Sequence, residues 1–258
     1  MNKSELISYL NEYLNINWFK DSSKNGLQVD NSKNEIKKIW YAVDANSYIF
    51  ERAKNQEIDL ILTHHGIFWG HEQTLTWVAY ERTKILLDND IALYSAHLPL
   101  DAHPEVWNNI WLAKAFIHIF GIREEDYELE SFWEYHGYTI WYGIKFKNKL
   151  HVSNLVTPYA EQMQLSKKFY NFWNLTTFDS ICFVSGGALN SMHEAKLKGY
   201  DVLVTWEWVH YEMTLAKELK QCVLIWGHYE TEKIWPKLLA YHLKKKFNID
   251  IEFLDEKY

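Results

Sequence analysis

The sequence predicts an α/β fold of two similar lobes with sheets flanked by helices, because three features of the chain agree. Short apolar runs with the length of buried strands alternate with stretches in which apolar residues recur at helical spacing. Such alternation is typical of strand–helix–strand units and of parallel pairing. The alternation occurs twice along 258 residues, a length that suits one large or two small domains. We expect residues 1–125 with 230–258 to form the first lobe and residues 126–229 the second.

The first lobe begins with an amphipathic helix over residues 1–14, where Leu6, Leu10 and Leu14 share one face. After it we predict strands at 39–43, 59–63 and 91–95, and helices at 47–56, 81–89 and 107–120. Gly121 is a typical residue to end the last of these helices.

The second lobe repeats the pattern, and the chain then returns to the first. We predict strands at 138–146, 180–184, 201–205, 222–226 and 250–254, and helices at 157–169, 190–198, 211–220 and 229–246. Cys182 and Cys222 fall within two of the apolar strands, which indicates small core residues and neither a disulfide nor a metal site.

Composition limits the partners. The formal net charge is -7, and the lysine run at 244–246 is typical of a solvated last helical turn, so nucleic acid is not expected as a partner. No apolar run approaches the ~20 residues that a membrane helix needs. The first 14 residues carry Glu5 and Glu12, so they do not resemble a signal peptide, and we expect a cytoplasmic protein.

Three predicted strands end in side chains that bind metals, and ligands collect at the carboxyl ends of strands in such folds. His64 and His65 follow the first strand, with Gly66 allowing the chain to bend; read alone, they are also typical of surface or capping histidines. His97 and Asp101 follow the next strand, where a satisfied histidine and a helix-capping aspartate are the alternative.

The third strand end carries His228 and Glu232, which are four residues apart and therefore share a helix face. An imidazole and a carboxylate on one face suit zinc, manganese or iron, although an acidic residue near a helix start also favours the helix dipole. Together the three strand ends predict two divalent ions with open positions for water. Such a pair, ~3.5–4 Å apart, lowers the pKa of a water and stabilises the charge that develops on a substrate.

These motifs resemble the Nif-three-like dinuclear-metal family, whose members are often named homologues of GTP cyclohydrolase one type two. The matching stretches are residues 25–29, 62–66, 94–102, 201–207 and 227–232. The resemblance implies two similar α/β lobes with mixed sheets, a metal site in the cleft between them, and a homohexamer. The implied metal ligands are His64, His65, Asp101, His228 and Glu232, with Glu232 as the bridge.

His97 falls on a family histidine beside the metals, so the resemblance implies a role in proton transfer or in supporting the ligands. We expect a metal-dependent hydrolase that acts on a small phosphate-bearing or nucleotide-like substrate; the alternative is a non-catalytic metal-binding scaffold or regulator. A cyclohydrolase activity rests on the family name alone, because a fold does not determine a reaction.

The chain has 13 Trp and only 10 Gly, an unusual ratio. Several tryptophans stand where the resembled family usually has glycine; they are Trp107, Trp133, Trp141, Trp206 and Trp235. Trp206 is the clearest, since the family pattern is Thr-Gly-Glu and this chain has Thr205-Trp206-Glu207. One hypothesis is that UGA codons that encode glycine in the source were translated as tryptophan; the other is a genuine, unusually aromatic protein.

Overall fold

The structure is a computed structural model that describes residues 1–71, 73–103, 108–135, 137–156, 168–187, 189–207 and 209–256. The chain forms two compact units, which are Met1–Val106 with Glu232–Tyr258 and Trp107–Thr231. The lobe boundaries expected from the sequence keep residues 107–125 with the first lobe, and they stay a prediction.

The first unit contains one five-stranded sheet. Its strands are β1 (Gly26–Val29), β2 (Lys38–Asp44), β3 (Leu60–His65), β4 (Ala92–Ser95) and β11 (Asp250–Phe253), in the order β1-β4-β3-β2-β11. β2, β3 and β4 are parallel to one another and β11 is parallel to β2, whereas β1 is antiparallel to β4. The carboxyl ends of β2, β3 and β4 therefore lie along one edge of this sheet.

The helices of the first unit are α1 (Lys3–Tyr13), α2 (Ser47–Ala53), α3 (Trp77–Asp88), α4 (Leu98–Asp101) and α10 (Ile234–Phe247). Each helix buries part of its apolar surface, although α3 leaves Trp77, Val78, Tyr80 and Leu87 exposed. The Asn2 side chain caps α1 by accepting from the Glu5 N–H, and Asn46 caps α2 through the Ile49 N–H. α10 packs on β2, β3 and β11, and its buried Trp235 lies beside His64 with the ring centroids 6.3 Å apart.

The second unit contains a six-stranded mixed sheet. Its strands are β5 (Tyr127–Tyr135), β6 (Tyr138–His151), β7 (Lys168–Tyr170), β8 (Thr177–Gly187), β9 (Val202–Glu207) and β10 (Cys222–Ile225), in the order β5-β6-β8-β9-β10-β7. β8, β9 and β10 are parallel, and the other pairings are antiparallel. Its helices are α5 (Asn108–Ile119), α6 (Ser153–Val156), α7 (Leu189–Leu197) and α8 (His210–Glu218). The helix α9 (His228–Glu232) follows β10 and crosses the boundary between the units.

The α/β class with two mixed sheets flanked by helices is thus confirmed. Each unit has a set of adjacent parallel strands, four in the first and three in the second, so the twofold alternation in the sequence reflects a repeated architecture. In the part of the chain that the structure describes, no helix has both the length and the apolar character needed to cross a membrane.

Two sequence-based elements are wrong in detail. The helix expected at 229–246 is interrupted at Lys233, because the ring of Pro236 conflicts with the carbonyl four residues earlier, that of Glu232. The helix expected at 157–169 lies largely outside the described residues, and its last two residues, Lys168 and Phe169, belong to strand β7. The strands β1 and β5 were not predicted, because their short or irregular apolar patterns have no clear period.

The tryptophans in question divide between buried and undescribed positions. Trp141, Trp206 and Trp235 are buried, whereas Trp107 and the side chain of Trp133 lie outside the described residues. Trp77, which the sequence pattern did not single out, has a φ of 55° and an 87% exposed side chain. A left-handed backbone favours glycine over a bulky residue, so Trp77 joins the positions to inspect for UGA codons. The recoding hypothesis stays a prediction.

Candidate metal centre

His64 and His65 end the central strand β3, and His64 is completely buried. The Nδ1 atom of His64 lies 3.0 Å from the Ala96 carbonyl oxygen, which only accepts hydrogen bonds, so Nδ1 carries the proton. The Nε2 atom therefore has a free lone pair, and this buried atom has no hydrogen-bond partner among the described residues. A buried basic nitrogen left in this way is suited to bind a cation.

His65 is oriented by Asp44, the last residue of the neighbouring strand β2. Parallel register places Asp44 opposite His65, and the Asp44 Oδ1 atom lies 2.7 Å from His65 Nδ1. The carboxylate accepts the Nδ1 proton, which sets the tautomer of the His65 ring. Sequence reasoning missed Asp44, although it stands at a strand end like the residues that were found.

His97 follows β4 and is held by Asp21, which sequence reasoning also missed. His97 Nδ1 lies 3.0 Å from both carboxylate oxygens of Asp21. Burial alone would lower the pKa of His97, but the Asp21 hydrogen bond and the charges of Asp101 and Asp21 raise it above its ordinary value. Burial opposes ionisation of Asp21, yet its bonds to His97, Asn25 and Ser23 lower its pKa to about 2. The pair therefore favours a charged carboxylate beside the imidazole.

Two buried carboxylates face these histidines. Asp101 ends α4, and its Oδ1 atom lies 3.7 Å from His64 Nε2. Glu232 ends α9, and its Oε1 and Oε2 atoms lie 3.5 Å from His64 Nε2 and 3.6 Å from His65 Nε2. One carboxylate thus presents a different oxygen to each of two imidazoles, which is the arrangement a bridging ligand needs.

These separations fit metal ligands better than hydrogen bonds. Two donors that bind one tetrahedral ion at about 2.1 Å each lie about 3.4 Å apart, whereas a hydrogen bond between the same atoms requires about 2.9 Å. One ring nitrogen from each of His64, His65 and His97 also lies within 4.8 Å of the other two. Burial raises the pKa of Asp101, although the His64 and His97 rings act in the opposite direction, so a cation would restore its charged form. The residues present fit a divalent metal ion.

His228 begins helix α9, four residues before Glu232. Its Nδ1 atom lies 3.1 Å from the Oε1 atom of Glu207, the last residue of β9, and its ring lies 5.2 Å from the Trp206 ring, centroid to centroid. Glu207 therefore orients His228 in the second unit as Asp44 orients His65 in the first. Glu207 belongs to one of the motifs recognised in the sequence, but sequence reasoning assigned it no role.

The loop after His65 is fixed by Gln28 of β1. The Gln28 Oε1 atom accepts from the Ile67 and Phe68 N–H groups at 2.8 and 3.2 Å. Gly66 lets the Gln28 amide approach the backbone, because a Cβ atom there would collide with that amide. The contact of Gln28 with Gly66 therefore joins two motifs beside the histidines that are far apart in the sequence, residues 25–29 and 62–66.

Within the first unit, the structure thus brings together the expected ligands His64, His65, Asp101 and Glu232, with His97 beside them. An aromatic side chain, Trp69, also lies here: its ring centroid is 5.0 Å from that of His97 and 5.9 Å from that of His65. Its Nε1 atom donates to the Gly66 carbonyl at 2.9 Å, which fixes the indole. The ligand roles of the four expected ligands and of His228 remain a proposal.

Known proteins resemble this chain over its whole length. A family model described as Duf34/NIF3 (NGG1p interacting factor 3) matches residues 1–257. A relative from Pyrococcus horikoshii named GTP cyclohydrolase 1 type 2 homolog is 38% identical over 256 residues, covering 99% of this chain and 98% of the relative.

Solved structures show the same architecture. TTHA1606 from Thermus thermophilus has a TM-score of 0.84 and 31% identity, covering 100% of this chain and 99% of the other. A protein named ybgI, described as of unknown function, has a TM-score of 0.86 and 26% identity with the same coverage.

Proposed function

This chain belongs to the Duf34/NIF3 family, and we propose that it is a metal-dependent hydrolase that holds two divalent ions. The proposed ligands are His64, His65, Asp101, His228 and Glu232. Nitrogen and oxygen donors of this kind suit zinc, manganese or iron. When bound, a pair of such ions lowers the pKa of a water and balances negative charge on the substrate.

The observation that carries the proposal is the buried carboxylate of Glu232 facing two imidazoles. Its two oxygens lie 3.5 and 3.6 Å from the Nε2 atoms of His64 and His65, a separation suited to donors that share an ion. Because each oxygen of this carboxylate faces a different imidazole, the geometry supports two ions, with Glu232 bridging them. Asp101 completes the set at His64, and His228, on the same helix as Glu232, is proposed to complete the set at His65.

The protein's own groups supply orientation and proton transfer. The Ala96 carbonyl, Asp44 and Glu207 each engage the Nδ1 atom of a proposed ligand, so these rings need little reorganisation on binding. His97 is the proposed proton acceptor, since its Nδ1 atom is engaged by Asp21 and its Nε2 atom remains. It would accept the proton of the attacking water and return it to the leaving group.

The proposed substrate is phosphate-bearing or nucleotide-like, because a dinuclear centre of this type stabilises in-line displacement at phosphorus. The relative from Pyrococcus horikoshii carries a GTP cyclohydrolase homologue name, so GTP ring opening belongs among the reactions to test. We also propose self-association as a homohexamer, following the family resemblance; light scattering coupled to size-exclusion chromatography measures the mass directly.

Metal analysis of the Glu232→Gln variant tests the centre. We expect two ions per chain in the parent and at most one in the variant, because the neutral amide cannot bridge two cations. The matched control is Glu212→Gln: Glu212 is also buried, but it accepts from the Val209 N–H at the start of α8. Equal metal content in the parent and Glu232→Gln would contradict the proposed centre.

Turnover is tested separately on phosphoesters, cyclic nucleotides and GTP with zinc- or manganese-loaded protein. We expect metal-dependent hydrolysis of at least one substrate class. Two tightly held ions without turnover would instead support the alternative of a non-catalytic metal-binding scaffold.

A further inference from the structure

The loop before β1 places a buried acid, Asp21, directly against His97. The two residues are 76 positions apart in the sequence, and only 2% of the Asp21 side chain is exposed. Nothing in the spacing of the metal-binding motifs points to this residue. Its position and contacts come from the fold alone.

The Asp21 carboxylate is surrounded by hydrogen-bond donors. Oδ1 accepts from the Ser23 N–H at 3.1 Å, and Oδ2 accepts from the Asn25 side-chain amide and the Leu98 N–H, both at 3.0 Å. His97 Nδ1 lies 3.0 Å from both oxygens. A carboxylate accepts on both oxygens and an amide on only one, so these donors together specify an ionised aspartate.

The same loop also fixes the backbone of His97. The Asn25 Oδ1 atom accepts from the His97 N–H at 2.8 Å, while Asn25 Nδ2 donates to Asp21. Asp21 and Asn25 therefore hold the main chain at residues 97 and 98 as well as the imidazole. With the backbone and Nδ1 both held, the ring has one orientation and its Nε2 atom is turned away from Asp21.

We propose that Asp21 is the positioning residue for His97, keeping the proton on Nδ1 and leaving Nε2 as the proton-accepting atom at the metal centre. The catalytic meaning of this pair rests on the proposed hydrolase function, whereas the tautomer does not. An imidazole whose proton sits on the wrong nitrogen cannot accept a proton at Nε2, so an acid that fixes the tautomer has a large effect without touching substrate.

The test uses Asp21→Asn in the zinc-loaded full chain, with solid-state ¹⁵N NMR of histidine-labelled protein as the first readout. The His97 signals are those missing from a His97→Gln sample. At an alkaline pH, where the imidazole is neutral, we expect protonated Nδ1 and unprotonated Nε2 in the parent, and a shift toward protonated Nε2 in Asp21→Asn. Zinc content should stay at the parent level, because the hydrogen bonds of Asp21 go to His97 and its loop and not to a proposed ligand.

Asp59→Asn is the matched control. Asp59 is another buried aspartate of the first unit that accepts from two backbone N–H groups and a side chain, but it lies at the opposite end of β3. The control should leave the His97 signals unchanged. A parent spectrum with the proton only on Nε2 of His97 overturns the proposal, and this result does not require Asp21→Asn to fold.

Turnover provides the second readout. Asp21→Asn should lower kcat at least about tenfold with little change in KM, and it should add nothing to His97→Gln, since both act through one group. Additive losses would overturn the positioning role. If the tautomer changes as expected while even the parent lacks turnover, the positioning of His97 stands and the hydrolase proposal fails.

Discussion

Both units have a carboxylate paired with an imidazole at the ends of two adjacent parallel strands. In the first unit, Asp44 at the end of β2 binds His65 at the end of the adjacent strand β3, with 2.7 Å between Oδ1 and Nδ1. In the second unit, Glu207 at the end of β9 binds His228, which follows the adjacent strand β10, at 3.1 Å. In both, a carboxylate on one strand orients an imidazole on the next.

The surroundings of the two pairs differ. Asp44 and His65 have 35% and 22% of their side chains exposed, whereas Glu207 and His228 have 60% and 34%. The first unit also adds the fully buried His64 and the pair of Asp21 with His97, while β8, the remaining parallel strand of the second unit, ends in Ser185-Gly186-Gly187. Both units therefore offer parallel strand ends, but most of the proposed metal ligands, together with His97, belong to the first unit.

The largest effect is expected from removing the orienting carboxylates. Asp44→Asn should weaken zinc binding about 10–100-fold, the usual cost of losing an acceptor behind a metal-binding histidine. Glu207→Gln should act in the same direction but less, because solvent competes for its more exposed hydrogen bond. Competition with a chromogenic chelator measures both affinities.

The zinc affinities of these variants also test whether the two units share this pairing of a carboxylate with an imidazole. Glu212→Gln again serves as the buried control and should bind zinc like the parent. If Glu207→Gln also binds zinc like the parent while Asp44→Asn binds it more weakly, the Glu207–His228 pair has only a structural role. The two units would then not share a carboxylate that supports a metal-binding histidine.

Alanine substitutions at two glycines should affect stability and zinc binding differently. A Cβ atom at Gly143 of β6 would collide with the rigid Tyr200 ring, so Gly143→Ala should lower the free energy of unfolding by about 1–3 kcal/mol. At Gly66 the Cβ atom would meet the end of the flexible Gln28 side chain, which can move. Gly66→Ala should therefore cost less stability but weaken zinc binding, because Gln28 would release the loop after His65.

Denaturant unfolding and zinc titration of both variants check this difference. The expectation is a normal zinc affinity in Gly143→Ala and a reduced one in Gly66→Ala. The reverse pattern would mean that the Gln28 clamp does not support the metal centre.

Sequence reasoning identified the side chains at strand ends and missed those that hold them in place. His64, His97 and His228 follow apolar strands, so one rule locates them. The same rule applied to β2 would have found Asp44, since it directly follows the strand predicted at 39–43. Asp21 could not be found in this way, because it precedes β1 in a loop and meets His97 only through the tertiary fold.

Two local features explain the errors in the predicted helices and strands: one proline and one irregular strand pairing. The apolar spacing of residues 229–246 is helical throughout, and only the position of Pro236 relative to Glu232 shows that the helix must break. The break ends α9 at the proposed bridging residue. β5 was missed because its pairing with β6 has irregular register, which removes the simple alternation of an exposed strand.

The smallest effect concerns a second repeated position, the aspartate that precedes a central parallel strand. Asp59 precedes β3 and accepts from the Lys37 and Lys38 N–H groups and from Lys33 Nζ. Asp201 precedes β9 and accepts from the Asp179 N–H at 2.9 Å. Burial opposes ionisation of both, but the Lys33 and backbone hydrogen bonds lower the pKa of Asp59, whereas burial and the charge of Asp179 raise the pKa of Asp201.

Opposite pKa directions predict opposite pH dependence of stability. The stability that Asp59 contributes is present above the ordinary pKa of 3.8 and is lost as the pH falls through the lower pKa of the folded state. Asp59→Asn should therefore lower the free energy of unfolding by about 0.5–1.5 kcal/mol at pH 7 and by less at pH 3. Asp201 contributes most below pH 3.8 and loses that contribution as the pH rises through its higher folded pKa, so Asp201→Asn should not destabilise the protein at pH 7. Urea unfolding at pH 3, 5 and 7 measures both. An equal loss at pH 7 for Asp201→Asn and Asp59→Asn would show that the opposite pKa directions do not determine what the two aspartates contribute to stability.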